Sequence, residues 1–354
     1  MRRKNLVIGA ITGLVLVQAG ISHAQLSRGN MDKDGTVVPS FAAPAGSAAI
    51  ENSGEAKVVI PLSVPPGRRG MAPKLALRYS SAASDTGLGV GWALDLGYAD
   101  AIRRSTRWGV PRYELQGTFT FNGQDVVRVG RSSRYRTRID SFQRISRVGD
   151  GWVVVEKNGT QLEYGSSIDE RSYIRRAGFQ APQTYAWHLS RVRDTFGNVI
   201  EFRYAGDPEQ QEARRLSVIL YTLSGAAVVG PEQRVTLVWG NRPAPLHSAI
   251  YGALIADRLR LEAIQTSSAG ALVRSFELCY AEESCSEIEP TSRGNAVLAA
   301  VAERGGSDSL ALGKFSYQAR DAGWTEKGPT TPLPFVEHYT GEDERAGDTG
   351  VRFG

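Results

Sequence analysis

From residue 54 onward, apolar and polar positions alternate with a period of two. Leu75, Leu77 and Tyr79 are interleaved with Lys74, Ala76 and Arg78, which puts three large side chains on one face of a strand. Phe119-Thr120-Phe121 and Val126-Val127 flank Asn122-Gly123. Asn-Gly supplies the two positive φ angles of a type I′ turn, so this stretch predicts a hairpin. The same device is expected at Asn158-Gly159, between strands over 152–156 and 160–164. A third hairpin is expected to join 258–266 to 272–280 across Ser267-Ser268-Ala269-Gly270. Val235, Leu237 and Trp239 mark a further strand face. Residues 251–261 form the best helical stretch, yet Leu259, Leu261 and Ala263 alternate there as a strand would. The expected fold class is all-β: extended antiparallel sheets joined by hairpins.

The two ends of the chain break this pattern. Arg2, Arg3 and Lys4 precede an apolar run over 6–21, and Ser22-His23-Ala24 fits the small-x-small cleavage rule. Residues 1–24 therefore read as a secretory signal peptide, giving a secreted or periplasmic product. No other run approaches the ~20 apolar residues of a membrane span. Residues 25–53, rich in Gly, Ala, Ser and Pro, read as a flexible leader. Residues 54–320 form the β domain. Residues 321–354 turn to Gly, Pro, Thr and charge and read as a linker, ending in an apolar-aromatic Val351-Arg352-Phe353-Gly354 that looks like the start of a further module. The chain is expected to be the front of a longer architecture.

Removing Arg2, Arg3 and Lys4 takes the formal net charge from +5 to +2, too close to neutrality for a nucleic-acid binder. Cys279 and Cys285 sit six positions apart. In an exported chain they are a candidate disulfide closing a small loop; the alternative is two free thiols.

Few motifs point to chemistry. Gly87-Leu88-Gly89-Val90-Gly91-Trp92 has the look of a phosphate loop, but Trp92 stands where the dinucleotide fingerprint needs its third glycine and no helix follows. These glycines read as a tight turn with close backbone packing. Asp32-Lys33-Asp34-Gly35 fails the calcium-loop spacing and reads as a polar turn. His188 lies in a Trp-His-Leu strand and reads as structural, and no serine or cysteine has the setting of a nucleophile. No catalytic residue, cofactor or metal site is expected. The densest basic stretch is 128–147, where Arg134, Arg136 and Arg138 alternate onto one strand face. That face is either a solvated surface or a binding face for an anionic glycan or protein. Glu342-Asp343-Glu344 has the spacing of an arginine-type ADP-ribosyltransferase pair but sits in the polar linker and reads as a charged loop.

One block is distinctive: Pro65-Pro66-Gly67, Gly70, Pro73, Tyr79-Ser80, then Gly87, Gly89 and Gly91-Trp92. It resembles the N-terminal domain shared by the SpvB virulence proteins and the insecticidal toxin-complex B components of the TcaC type. Asp194, Gly197 and Asn198, within Asp194-Thr195-Phe196-Gly197-Asn198, are similar to the Rhs/YD repeat. The resemblance covers roughly residues 40–320. It implies a β-rich, non-catalytic domain forming part of an Rhs-like β-shell, followed by FG-GAP-like repeats. The transferase of SpvB lies in a separate C-terminal domain. The function implied is a structural and delivery module of an exported virulence protein. Its partners would be other toxin-complex or Rhs shell components, or downstream modules of the same polypeptide.

Overall fold

The computed structural model describes residues 16–17, 46–50, 55–114, 117–175, 182–207, 213–281 and 296–317. The period-two alternation is realised as strands throughout. In chain order they are β1 (Leu16–Val17), β2 (Ser47–Ile50), β3 (Ala56–Pro61), β4 (Ala76–Ser80), β5 (Trp92–Asp95), β6 (Ala101–Arg104) and β7 (Phe119–Phe121). There follow β8 (Gln124–Arg128), β9 (Arg134–Thr137), β10 (Arg144–Val148), β11 (Gly151–Val155), β12 (Gln161–Tyr164), β13 (Arg171–Ile174) and β14 (Gln183–Arg193). The last are β15 (Asn198–Gly206), β16 (Arg214–Ser224), β17 (Ala227–Ser248), β18 (Ile255–Ser268), β19 (Ala271–Tyr280), β20 (Leu298–Gly305) and β21 (Asp308–Ser316). Among the described residues one 3₁₀ turn, Arg68–Gly70, interrupts them. Among the described residues no helix is long and apolar enough to cross a membrane. The strands belong to a unit that ends at Tyr317; a second unit, 318–354, lies outside the described residues.

The pairings close a barrel. Strands β6 to β12 pair each with the next. β12 then pairs with β14, and β14 returns to β6. Every pairing is antiparallel, and the closed ring has no free edge. An eight-stranded barrel is just wide enough to be filled by side chains, and this one is. Phe119, Tyr135, Trp152 and Trp187 meet edge-to-face inside it, with Phe119–Trp152 centroids at 4.8 Å and Tyr135–Trp152 at 4.9 Å. Such pairs contribute about 0.5–1.5 kcal/mol each beyond the area they bury. Arg147 lies over Trp187 at 4.6 Å and over Trp152 at 4.8 Å, so a guanidinium caps the aromatic column.

β14 also begins a second structure. Its 191–193 stretch pairs with β15, and from there β15 to β21 run as an antiparallel meander in sequence order. β2 to β5 form a separate four-stranded sheet. Its buried Val58, Ile60, Leu77 and Trp92 share one apolar core with the barrel and the meander. Trp92 touches Phe315 of β21 at 4.6 Å.

The hairpins can be compared turn by turn. Asn122 (φ 49) and Gly123 (φ 74) make the expected type I′ turn, and Ala269 (φ 47) with Gly270 (φ 84) makes another. At 156–160 the expectation needs correcting. Only Gly159 has positive φ, at 86. Gly159 N–H donates to the Glu156 carbonyl and Glu156 N–H to the Thr160 carbonyl. This is a three-residue loop with glycine at the left-handed position, and the Asn158 side chain is engaged in accepting the Thr160 N–H at 2.9 Å. Residues 255–268 are strand, so the alternation of Leu259 and Leu261 prevails over the helical reading.

Two short strands fall near the N-terminus. Ser47–Ile50, inside the stretch read as leader, forms β2 against β3. Leu16–Val17, inside the stretch read as signal peptide, lies antiparallel to β21 at Phe315 and Ser316. The rest of 1–45 lies outside the described residues, as do the polar turn at 32–35, the 321–354 linker, Glu342-Asp343-Glu344 and the terminal tetrapeptide.

Candidate functional site

The glycine loop between β4 and β5 laces the small sheet to the meander. The Asp85 carboxylate accepts the N–H groups of Gly87 (2.8 Å) and Gly89 (3.1 Å), and its other oxygen accepts from Arg242 of β17 at 2.6 Å. Both side chains are buried, at 4% and 0% exposure. Gly87 offers its carbonyl to Leu261 N–H, and Val90 donates to Ala296. All three glycines have φ between +83 and +97. A Cβ on Gly91 would lie 2.5 Å from the Tyr79 ring. The amides that a phosphate loop would present are committed to Asp85 instead.

The other motif residues surround this loop. Ser80 N–H donates to Gly91, and its hydroxyl donates to Glu55. The Pro65 carbonyl, at the start of the Pro65-Pro66-Gly67 turn, accepts Tyr221 O–H at 2.7 Å. A Cβ on Gly67 would collide with the Met71 carbonyl at 1.8 Å. Gly70 has φ 79 and ends the 3₁₀ turn, and Pro73 leads into β4. Trp92 donates its indole N–H to Tyr317, whose hydroxyl donates in turn to the Leu298 carbonyl.

Where the barrel, the segment 93–100 and the meander meet, they line an open cavity of about 1030 Å³. Ionised side chains line it in matched pairs. Arg103 grips Asp100 with both guanidinium nitrogens, one of them at 3.0 Å. Arg215 pairs with Asp257 deeper in the wall, where both are under a quarter exposed. Arg78 pairs with Asp95 at the rim. Burial by itself would raise the Asp100 carboxyl, but the guanidinium of Arg103 holds it below the ordinary range. Burial, opposed by neighbouring acidic groups, pulls Arg215 down to about 10. Glu156, also on the wall, is raised by burial. Trp239, Tyr204 and Tyr98 add aromatic surface.

His188 faces this cavity and is half-buried. Its Nε2 lies 2.6 Å from Ser172 Oγ and its ring stacks on Tyr204 at 4.9 Å. Burial, reinforced by Arg103 and opposed by Asp100, lowers its pKa to about 3. The serine–histidine contact has the length of a nucleophile–base pair. Ser172, however, is 2% exposed and does not line the cavity, so its hydroxyl is out of reach of a substrate there. The contact pins β13 to β14.

The other sequence candidates lie apart from the cavity. Asp194 accepts the N–H groups of Phe196 and Asn198, and Asn198 Nδ2 returns to its second oxygen at 2.6 Å. With Gly197 at φ 81, this closes the β14–β15 turn. Arg134 and Arg136 of β9, and Arg138 just past its end, are exposed while Tyr135 and Thr137 are buried. Arg136 is paired with Asp140, and Arg138 shares Asp125 with Arg107. Cys279, on β19, is disulfide-bonded; Cys285 lies outside the described residues. Sequence reasoning missed Asp85, Asp100, Arg103, Arg215, Arg242 and Asp257. Asp85 and Asp100 lie in loops and the others in strands, and apart from the Asp100–Arg103 pair their partners are too distant in the chain to be matched by spacing.

Comparison with known proteins gives a consistent picture. Residues 50–136 match the family model described as SpvB, Salmonella virulence plasmid 65kDa B protein. A mono(ADP-ribosyl)transferase SpvB of Salmonella enteritidis is 36% identical over 108 residues, which is 30% of this chain and 16% of that relative. Its counterpart in Salmonella choleraesuis is 41% identical over 79 residues, 22% of this chain and 13% of that one. The match thus spans under a fifth of the length of these relatives. Among solved structures, the N-terminal domain of effector protein SpvB from Salmonella typhimurium superposes with a TM-score of 0.57 at 19% identity, covering 70% of this chain and 98% of that one. A Photorhabdus luminescens Tc holotoxin pore superposes with a TM-score of 0.61 at 19% identity, covering 77% of this chain and 16% of that one. At such identities the likeness is one of fold.

Proposed function

We propose that the chain, whose residues 50–136 match the SpvB family model, is a non-catalytic structural module of an exported toxin-complex-type virulence protein. Its task would be to fold into a rigid β unit and present what lies downstream. The observation that carries this is the double fit. The same fold makes up 98% of an isolated SpvB N-terminal domain and only 16% of a far larger Tc toxin chain. A unit found both alone and at that scale within an assembly behaves as a building block. The barrel supports the reading, because its interior is spent on aromatic packing. The activity for which the relatives are named, mono(ADP-ribosyl) transfer, belongs to proteins of which the matched segment spans 16% or less. Export by a signal peptide, docking on toxin-complex or Rhs shell components, and FG-GAP-like repeats downstream are parts of this proposal.

The test is to incubate the purified full chain with adenylate-labelled NAD and total host-cell protein. No label should reach any acceptor; transfer of label would overturn the non-catalytic reading. A second reading treats the outer face of β9 as a binding face for an anionic glycan or protein. It is favoured by the exposure of Arg134, Arg136 and Arg138 beside Trp108 at 85% and Ile139 at 72%. It requires salt-sensitive binding that the triple change of these arginines to alanine abolishes.

A further inference from the structure

The cavity at the junction of barrel and meander has a chemistry that structural packing does not explain. A cleft between packed β layers that serves only as structure needs no matched charges along its walls. This one holds about 1030 Å³, the upper end of the ~300–1,000 Å³ range of small-molecule sites. It also sits where such sites concentrate, at the mouth of a barrel and between substructures.

Its lining narrows the class of occupant. An apolar ligand would strip water from Asp95, Asp100 and Asp257 and from the guanidinium groups beside them, and nothing would replace those hydrogen bonds. An anionic ligand would meet arginines already matched: Arg103 to Asp100, Arg215 to Asp257, Arg78 to Asp95. Each of those carboxylates would repel it. A nucleic-acid or phosphate site needs an excess of positive charge, and here the four lining arginines, Arg214 included, are offset by Asp95, Asp100, Glu156 and Asp257. What a guanidinium–carboxylate pair does present is a donor and an acceptor side by side on a fixed frame. A hydroxyl group, which donates and accepts at once, satisfies both. Several such pairs around a space lined by Trp239, Tyr204 and Tyr98 fit a ligand with many hydroxyls and weakly polar ring faces.

We propose that the cavity binds a neutral polyhydroxylated ligand, an oligosaccharide in chemical class. Asp257 and Arg215 would form the deep end, and Asp100 with Arg103 the side wall. His188 stays uncharged at the wall and leaves the charge balance intact. This site is separate from the outer arginine face, and it stands whether or not the chain is a structural module.

The test uses the purified full chain. Maltotriose, cellotriose and triacetylchitotriose are titrated by calorimetry and by intrinsic fluorescence, with sialyllactose as the anionic arm. At least one neutral trisaccharide should bind saturably, and sialyllactose more weakly. Asp257→Asn should weaken that binding by roughly tenfold or more, because one acceptor becomes a mismatched donor. Gln143→Ala, a milder change on the cavity wall, should weaken it while keeping the wild-type circular dichroism and melting curve. Arg134→Ala, on the outer face, should change nothing. Absence of saturable binding by all three neutral sugars at millimolar concentration would overturn the proposal. So would binding that Asp257→Asn and Gln143→Ala, both folded, leave intact, or a preference for sialyllactose. Label transfer from NAD would sink the structural-module reading without touching this result.

Discussion

Asp85 and Arg242, 157 residues apart in sequence, form an ion pair of 2.6 Å in which neither side chain is more than 4% exposed. The same aspartate holds the amides of Gly87 and Gly89. One carboxylate therefore shapes the glycine loop and ties it to β17. Removing a single partner of a buried pair strands the other charge, at about 3–5 kcal/mol. Asp85→Asn should lose roughly that much stability in chemical denaturation. Combining an apolar residue at 85 with Arg242→Met should recover part of it. Equal stability of Asp85→Asn and wild type would show that the pair is not buried in solution.

Trp92 and Tyr317 are 225 residues apart and joined by an indole hydrogen bond of 2.8 Å. Trp92→Phe and Tyr317→Phe should each destabilise the fold. A double-mutant cycle should give a coupling of about 0.5–1.5 kcal/mol, the net worth of one hydrogen bond. Additive effects would mean that this hydrogen bond adds nothing to the seating of the small sheet.

Gly91 and Gly197 both have positive φ, 83 and 81, but they differ in surroundings. Nothing lies within 4 Å of a Cβ on Gly197, whereas on Gly91 it would meet the Tyr79 ring at 2.5 Å. Gly197→Ala should cost about 1–2 kcal/mol from the left-handed backbone. Gly91→Ala should lose that plus about 1–3 kcal/mol from steric overlap. Thermal melts of the two variants separate the contributions.

Acid should weaken the fold through His188. Its folded pKa, about 3, lies below the unfolded value of 6.5, so between those limits the unfolded chain binds the extra proton. The stability from keeping His188 neutral is whole above 6.5 and drains away as pH falls toward 3. The lowered Asp100 carboxyl acts in the same direction. The melting temperature should drop between about pH 7 and about pH 5, and His188→Gln should flatten that slope. An unchanged slope would place the acid sensitivity elsewhere.

The strands and most of the turns were legible in the sequence because they are local. Leu75, Leu77 and Tyr79 announce their face through period two, and Asn122-Gly123 announces its turn through two residues. Asn158-Gly159 shows the limit: the same dipeptide entered a different loop because Asn158 used its side chain to hold Thr160. Barrel closure was not legible. It depends on Ala101–Arg104 finding Ala186–His188, a pairing that no periodicity encodes. The cavity was hidden for the same reason, since Asp100 and Asp257 are neighbours of one space and strangers in the chain. The family block was readable by its residues, and the structure gives it a physical basis in Asp85, Tyr79 and Trp92.

β14 serves the barrel and the meander at once, which fixes an order of events during synthesis. Seven staves of the barrel leave the ribosome with nothing to close against, and closure waits for the stretch around Trp187. Until then Phe119, Tyr135 and Trp152 have no enclosed interior to fill. The barrel thus stays open until the chain has been made as far as His188. Shutting the barrel then also templates the first rung of the sheet that follows.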